Sequence, residues 1–211
     1  MKRLIIIIVT IVLLFNSCSD KNKDYEQEVY SDILNSLINI DNYYKPAPSP
    51  KLILEDSSSE GYNELKNEYD ILLNKYYQRI DTLEKYLFVK DTLQAIDLIE
   101  FIDYIEGGIF TQKTKPKKQF KIDKYNSKDF ILIKSDSFTN DSLVNVIGIK
   151  EDRFYIGYLV LSRVIFNEDY TKGVLICSFS CGTKCGEKKL LLVSNQDGRW
   201  KISEKIGLEI F

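Results

Sequence analysis

Apolar and polar positions change their spacing twice along the chain. An unbroken apolar run, Leu4 to Phe15, comes first. From Tyr25 to about Tyr86 apolar residues recur three and four apart, and from Phe130 onward they fall in short runs divided by turn residues. The first pattern predicts a leader, the second helices and the third strands.

Tyr25 to Ile40 carries one stripe (Val29, Tyr30, Ile33, Leu34, Leu37, Ile38) and predicts a helix, with Asp24 as N-cap and Glu26 and Glu28 in its first turn. Pro46, Pro48 and Pro50 cannot continue it and form an extended connector. Ser57-Ser58-Ser59-Glu60 has capping-box spacing, so a second helix runs from there to about Tyr86. Tyr62, Leu65, Tyr69, Leu72, Tyr76, Leu83 and Tyr86 fit a seven-residue repeat broken at Arg79. Either a short coiled coil or packing on the first helix and the sheet explains it, and packing is the better reading. Leu87 to Val89 reads as a short strand. Leu93 to Ile105 reads as a helix with an acidic side (Asp97, Glu100, Asp103, Glu106), ended by Gly107-Gly108. Those acids admit a glycosidase or calcium role, but a period of three on a helix is ordinarily a solvated face. The lysines between Lys113 and Lys121 read as a solvated loop or as a contact for anionic headgroups.

Phe130 to Lys134 and Val144 to Ile149 are strand candidates, with a polar turn at Ser135 to Ser142 between them and another at Glu151 to Arg153. From Leu159 the pattern is regular: strands at Leu159 to Phe166, Val174 to Cys181, Glu187 to Ser194 and Arg199 to Ser203, joined by turns at Asn167 to Gly173, Gly182 to Lys184 and Asn195 to Gly198. Short strands joined by turns of this kind predict an antiparallel meander. The fold class is therefore α+β, N-terminal helices followed by a C-terminal antiparallel meander. Residues 1–17 form a signal peptide, 18–24 a tether, 25–110 a helical region and 111–211 a sheet region, with 25–211 one globular unit.

Composition changes the picture at three points. Among 211 residues there is no histidine, which excludes Ser-His and Cys-His nucleophile pairs, His-ligated metals and imidazole acid–base work. Without residues 1–17, which hold Lys2 and Arg3 and no acid, 27 basic side chains face 31 acidic ones, against a nucleic-acid partner. The apolar run is twelve residues long, short of the roughly 20 that span a bilayer, and follows a basic n-region as in a signal peptide.

Phe15-Asn16-Ser17-Cys18 resembles a bacterial lipobox, departing from the common pattern at Phe15 and Asn16. That resemblance implies cleavage before Cys18, acylation there, palmitate included, and a membrane anchor at the cell envelope, most readily the outer membrane. The alternative is an ordinary secretory signal with Cys18 a bystander. Ser19 to Asp24 is then a flexible tether or an export patch that sets the membrane face.

Cysteine geometry follows from the turn at Thr183. Cys181 faces Cys185 across the hairpin, within the reach of a disulfide, and an exported protein keeps such bonds. Cys177 faces Lys189, roughly 13 Å away along the strand at about 3.3 Å per residue, and stays free and buried on the face of Phe179. A three-thiolate metal site and a redox pair are the rival readings.

Ser162-Arg163-Val164-Ile165-Phe166-Asn167, Cys181-Gly182 with Cys185-Gly186-Glu187, and Gly198-Arg199-Trp200-Lys201-Ile202 resemble the C-terminal signature of a group of uncharacterised bacterial exported proteins, over about fifty residues. The resemblance implies no activity. A second likeness, at fold level, is to nuclear-transport-factor-like folds, whose helices precede a sheet with its last strand after such a turn. No catalytic, metal or cofactor residue emerges, so the leading expectation is a lipid-anchored binding or interaction module with an envelope protein or glycan partner. A carboxylate-based glycan hydrolase and an inhibitor or self-protection lipoprotein with tyrosine-rich helices over its target are the alternatives.

Overall fold

In a computed structural model, the structure describes residues 24–37, 60–105, 110, 112, 114–125, 127, 129–135, 147–182 and 185–210. The leader, Cys18, the tether up to residue 23, the proline connector, the capping serines, Gly107-Gly108 and most of the turn at 135–142 lie outside them.

Helix α1 (Tyr25–Leu37) forms where its stripe predicts, and it buries Val29, Tyr30, Ile33, Leu34 and Leu37. Asp24 caps it: its Oδ1 accepts the Gln27 N–H at 3.4 Å. Helix α2 (Glu60–Thr82) ends earlier than expected. Its half-buried face is Tyr62, Leu65, Tyr69, Leu73 and Tyr76, leading to buried Ile80, whereas the heptad position Leu72 is 63% exposed. That spacing of three and four follows the 3.6-residue turn of a helix packed on one side, not a coiled-coil seam. Only the last turns reach the main core, through Tyr76, Tyr77, Ile80 and Leu83.

The chain then enters the sheet. Strand β1 (Glu84–Val89) absorbs Tyr86, which the heptad had assigned to the helix. Short strands β2 (Thr92–Leu93), β3 (Ile96–Asp97), β4 (Thr114–Lys115) and β5 (Lys118–Gln119) follow, with a 3-10 segment at Leu98–Tyr104. The helix expected over Leu93 to Ile105 is thus the end of β2, strand β3 and a kinked 3-10 segment, non-helical at Phe101 (φ −123°, ψ 15°), because Ile96, Leu98 and Phe101 must all reach the sheet. Strands β6 (Ile131–Lys134), β7 (Gly148–Lys150), β8 (Arg153–Leu161), β9 (Ile165–Phe166), β10 (Lys172–Gly182), β11 (Cys185–Gln196) and β12 (Arg199–Ile210) complete the fold.

Among the described residues eight strands make one sheet in the order β12-β11-β10-β8-β1-β6, with β7 beside β8 and β9 beside β10. The antiparallel meander β8-β10-β11-β12 matches expectation. The strand expected at Leu87 to Val89 is part of β1, which pairs in parallel with both β8 and β6, so sheet and helical parts interleave along the sequence. The protein is a mixed α+β fold with a mostly antiparallel sheet. Asp197 (φ 54°) and Gly198 (φ 81°) form the two-residue β11–β12 turn, both in the left-handed region that such a hairpin demands.

The two faces of the sheet are covered unequally. Leu175, Cys177 and Phe179 of β10, with Leu191, Val193 and Trp200, pack under α1 in the main core. Val174, Ile165 and Leu190 on the other face pack against Ile96, Leu98, Phe101, Ile105 and Phe110 in a smaller core.

Candidate functional site

The site begins at an interruption. Leu159 to Phe166 was expected to be one strand, but β8 stops at Leu161 and β9 starts at Ile165. Ser162 replaces the missing ladder: its N–H donates to the Ile176 carbonyl at 2.9 Å, and its Oγ accepts the Ile176 N–H at 2.7 Å while donating to the Arg163 carbonyl at 2.8 Å. The Tyr30 hydroxyl of α1 donates to the Ser162 carbonyl. Arg163 leaves the strand line and its Nε donates to Glu26 Oε1 at 2.8 Å and Oε2 at 3.0 Å. The Val164 N–H reaches the same Oε1 at 2.9 Å, and Lys118 Nζ lies 3.2 Å from Oε2 and 3.3 Å from Asp24.

Glu26 is 5% exposed. Burial pushes its carboxyl up, but the Arg163 hydrogen bond, the Val164 N–H and the charges of Lys115 and Arg163 outweigh that and hold it below its usual value. It is an anchored carboxylate.

The same break suspends a wall over the second face of the sheet. The Gln94 N–H donates to the Leu161 carbonyl and the Arg163 N–H to the Gln94 carbonyl, both at 2.8 Å, and Arg163 Nη1 donates to the Pro116 carbonyl at 3.0 Å. Pairing of Ile96 with Lys115 and of Asp97 with Thr114 ties the two wall segments together. Between wall and sheet lies a cleft of about 760 Å³. Its floor is a patch of β8, β10 and β11 formed by Val160, Ser162, Ile176, Ser178 and Lys188. Asp97, Glu100 and Phe101 form one side, and Thr114, Lys115 and Pro116 the other.

The polar groups here alternate in character. Asp97 is half committed, since its Oδ1 accepts the Ile99 N–H at 3.0 Å. Gln94 Nε2 donates to the Thr92 carbonyl at 2.8 Å. Lys115 stands 5.3 Å from the Phe166 ring centre. Burial lowers its pKa; Glu26 opposes that shift, and the neighbouring charges of Arg163 and Lys118 add to it. The side chains of Ser178, Thr114 and Lys188 make no hydrogen bond or ion pair among the described residues. The surroundings of Glu26 and of Asp169 both move their carboxyls down, the direction opposite to a general acid's need. Among the described residues no three acids or thiols are grouped to hold a metal, and no helix is long and apolar enough to cross a membrane.

Cys181 and Cys185 stand at disulfide distance at the tip of the β10–β11 hairpin, Cα to Cα 5.1 Å. A one-residue irregularity sets Gly182, not Cys181, opposite Cys185 in the ladder. Cys177 pairs in register with Lys189, buried and free, away from that bridge. Neither feature lies in the cleft. Lys115 lay in the basic run from Lys113 to Lys121, whereas Lys188 had no local signature. Arg163 stood in the quoted C-terminal signature, but its partner lies 137 positions earlier. Comparison of the chain with protein-family models, with curated proteins and with solved structures finds no match.

Proposed function

We propose that this chain is a lipid-anchored module of the cell envelope, attached through Cys18 at the outer membrane, that holds a polar ligand in the cleft between the sheet and the Gln94–Phe101 and Thr114–Pro116 walls. The observation that carries this reading is the cleft itself. Its volume, about 760 Å³, falls within the roughly 300–1,000 Å³ of small-molecule sites. Its walls are fixed by the buried Glu26–Arg163 pair, and its lining supplies hydrogen-bond donors and acceptors. The leader, Lys2 and Arg3 followed by Leu4 to Phe15 and Cys18, supports the anchor. The nuclear-transport-factor likeness belongs to the proposal at fold level only: a helix precedes a sheet whose last strand follows the Gly198 turn, although β1 lies in parallel inside that sheet.

The test has two arms. Palmitate labelling and membrane fractionation of cells making the full chain or Cys18→Ser should give labelled, membrane-bound protein only with Cys18; label on both proteins or on neither refutes the anchor. Ser178→Trp, which fills the cleft floor, should abolish ligand capture in crosslinked cells, and unchanged capture refutes the cleft.

A second reading, the glycan hydrolase, is favoured by one observation: Asp97 and Glu100 share the cleft. It requires turnover that Asp97→Asn and Glu100→Gln each abolish.

A further inference from the structure

The lining of the cleft narrows the class of ligand. We infer that it takes a saccharide bearing a single anionic substituent, with the substituent at Lys188 and the ring hydroxyls spread over Glu100, Asp97, Gln94 and Ser178. This inference rests on the binding-module reading and names the occupant of that same cleft.

The argument starts from which valences are left over. Lys188 rises from β11 directly across from Ser178 of β10, which itself pairs with Val160 of β8. Its ammonium has no ion-pair partner among the described residues. Lys115 lines the wall, but its ammonium lies over the Phe166 ring, 5.3 Å from the centre, so the anion site rests on Lys188. The half-buried Lys188 ammonium, with no ion-pair partner among the described residues, attracts one anionic group. A polyanion is disfavoured, because Asp97 and Glu100 line the same space and would repel it.

Carboxylates and amide oxygens with valences to spare instead suit hydroxyl donors. The Asp97 carboxylate keeps one oxygen after capping Ile99, Gln94 keeps its amide oxygen after donating to Thr92, and Glu100 is exposed. Ser178 and Thr114 can donate or accept as the ligand requires. A hydroxyl is both donor and acceptor, so a ring with several hydroxyls is the ligand class that satisfies such an alternating set. The apolar floor at Val160 and Ile176, with Phe101 beside it, meets the C–H faces of the ring.

The test uses the full lipidated chain in nanodiscs and two disaccharides of the same size, followed by titration calorimetry. One is N-acetylglucosaminyl-N-acetylmuramic acid, which carries one carboxylate; the other is neutral diacetylchitobiose. The acidic sugar should bind at least tenfold more tightly, with the difference shrinking at high salt. Lys188→Met should bring its affinity to that of the neutral sugar. Glu100→Gln should weaken the neutral sugar and weaken the acidic sugar less, because it also removes a repelling charge. Ser178→Trp should abolish both. Thermal unfolding of Lys188→Met checks the fold, which the unpaired position of Lys188 predicts to be unchanged. Equal affinities for the two sugars, binding of neither, or discrimination that survives Lys188→Met overturns the inference. Fractionation of Cys18→Ser reads the anchor separately, so a failed sugar assay with an intact anchor rejects the ligand class and leaves the envelope reading standing.

Discussion

Arg163 Nε donates to both carboxylate oxygens of Glu26, at 2.8 and 3.0 Å, joining the first turn of α1 to the break between β8 and β9 across 137 positions of sequence. Both groups are largely buried, with side-chain exposures of 15% and 7%. The pair does two things at once. It replaces the ladder bond that Val164 would have made in a continuous strand, and through the Arg163 contacts to Gln94 and Pro116 it sets the position of the cleft wall.

Removing either partner should therefore cost more than a surface ion pair. Breaking a buried pair leaves an unmatched charge and costs about 3–5 kcal/mol. Arg163→Ala and Glu26→Ala should each lose that order of stability in urea denaturation. A double replacement, Glu26→Gln with Arg163→Met, should recover part of the loss. An Arg163→Ala protein as stable as the parent would remove the pair from its structural role.

The same carboxylate sets an acid limit. Its folded pKa is depressed, so the unfolded chain takes up the proton first. The contribution is complete above the ordinary glutamate value, about 4.3, and is lost as pH falls through the lower folded value. Urea midpoints measured from pH 7 to pH 3 should fall on the acid side, and Glu26→Gln should flatten that fall. Asp169, exposed and held down by its hydrogen bond from Thr171, shifts the same way, and solvent screening makes the change in slope of its Asn variant smaller than that of Glu26→Gln.

Some of this architecture was legible and some was not, for physical reasons. The β10–β11–β12 hairpins were readable because Asp197-Gly198 and the glycine at 182 mark turns locally, and a turn position determines register: Cys177 opposite Lys189 follows from it. Helix α1 was readable because its stripe and its Asp24 cap are local signals. The core of strand β1, Leu87 to Val89, was readable as a strand, but its start was not, since Tyr86 continued a helical spacing and only parallel pairing with Ile131 and Tyr155 takes it into the sheet. The cleft was hidden for a related reason. Asp97 and Glu100 looked like a solvated helix face, and only the kink at Phe101 and the pairing of Ile96 with Lys115 bring them over the sheet.

Two glycines in the sheet should respond in opposite ways. A Cβ on Gly157 would sit 2.4 Å from the Ser180 carbonyl oxygen and 2.6 Å from Phe179 Cζ, at the register shift where β8 bulges beside β1. Because the nearest atom is backbone, Gly157→Ala should destabilise by about 1–3 kcal/mol or more. Gly207 on edge strand β12 has nothing within 4 Å and no left-handed backbone, so Gly207→Ala should be neutral or slightly stabilising. Thermal melts of the two variants compare them directly; equal melting temperatures would contradict the packing described for Phe179.

Cys177 provides an alkaline counterpart to Glu26. It is 7% exposed, and burial, helped by the Glu187 charge, pushes its thiol up to about 12. The folded protein therefore keeps a proton that the unfolded chain releases near the ordinary thiol value, about 8.5. Here the folded pKa is raised, so the contribution is complete below about 8.5 and is lost as pH rises toward the folded value. Tyr30 and Tyr125, both raised by burial, add their own alkaline slope, but only above the ordinary tyrosine value, about 10. Between those two values the fall in stability should belong to Cys177 and should vanish in Cys177→Ala, whatever that variant loses in packing. The low thiolate fraction also predicts that iodoacetamide at pH 8 labels Cys177 in urea and leaves it unlabelled in the native chain. Labelling of native protein at the rate of an exposed thiol would show that the face of β10 beneath α1 is open to solvent, against the burial of Cys177 beside Phe179 and Leu175.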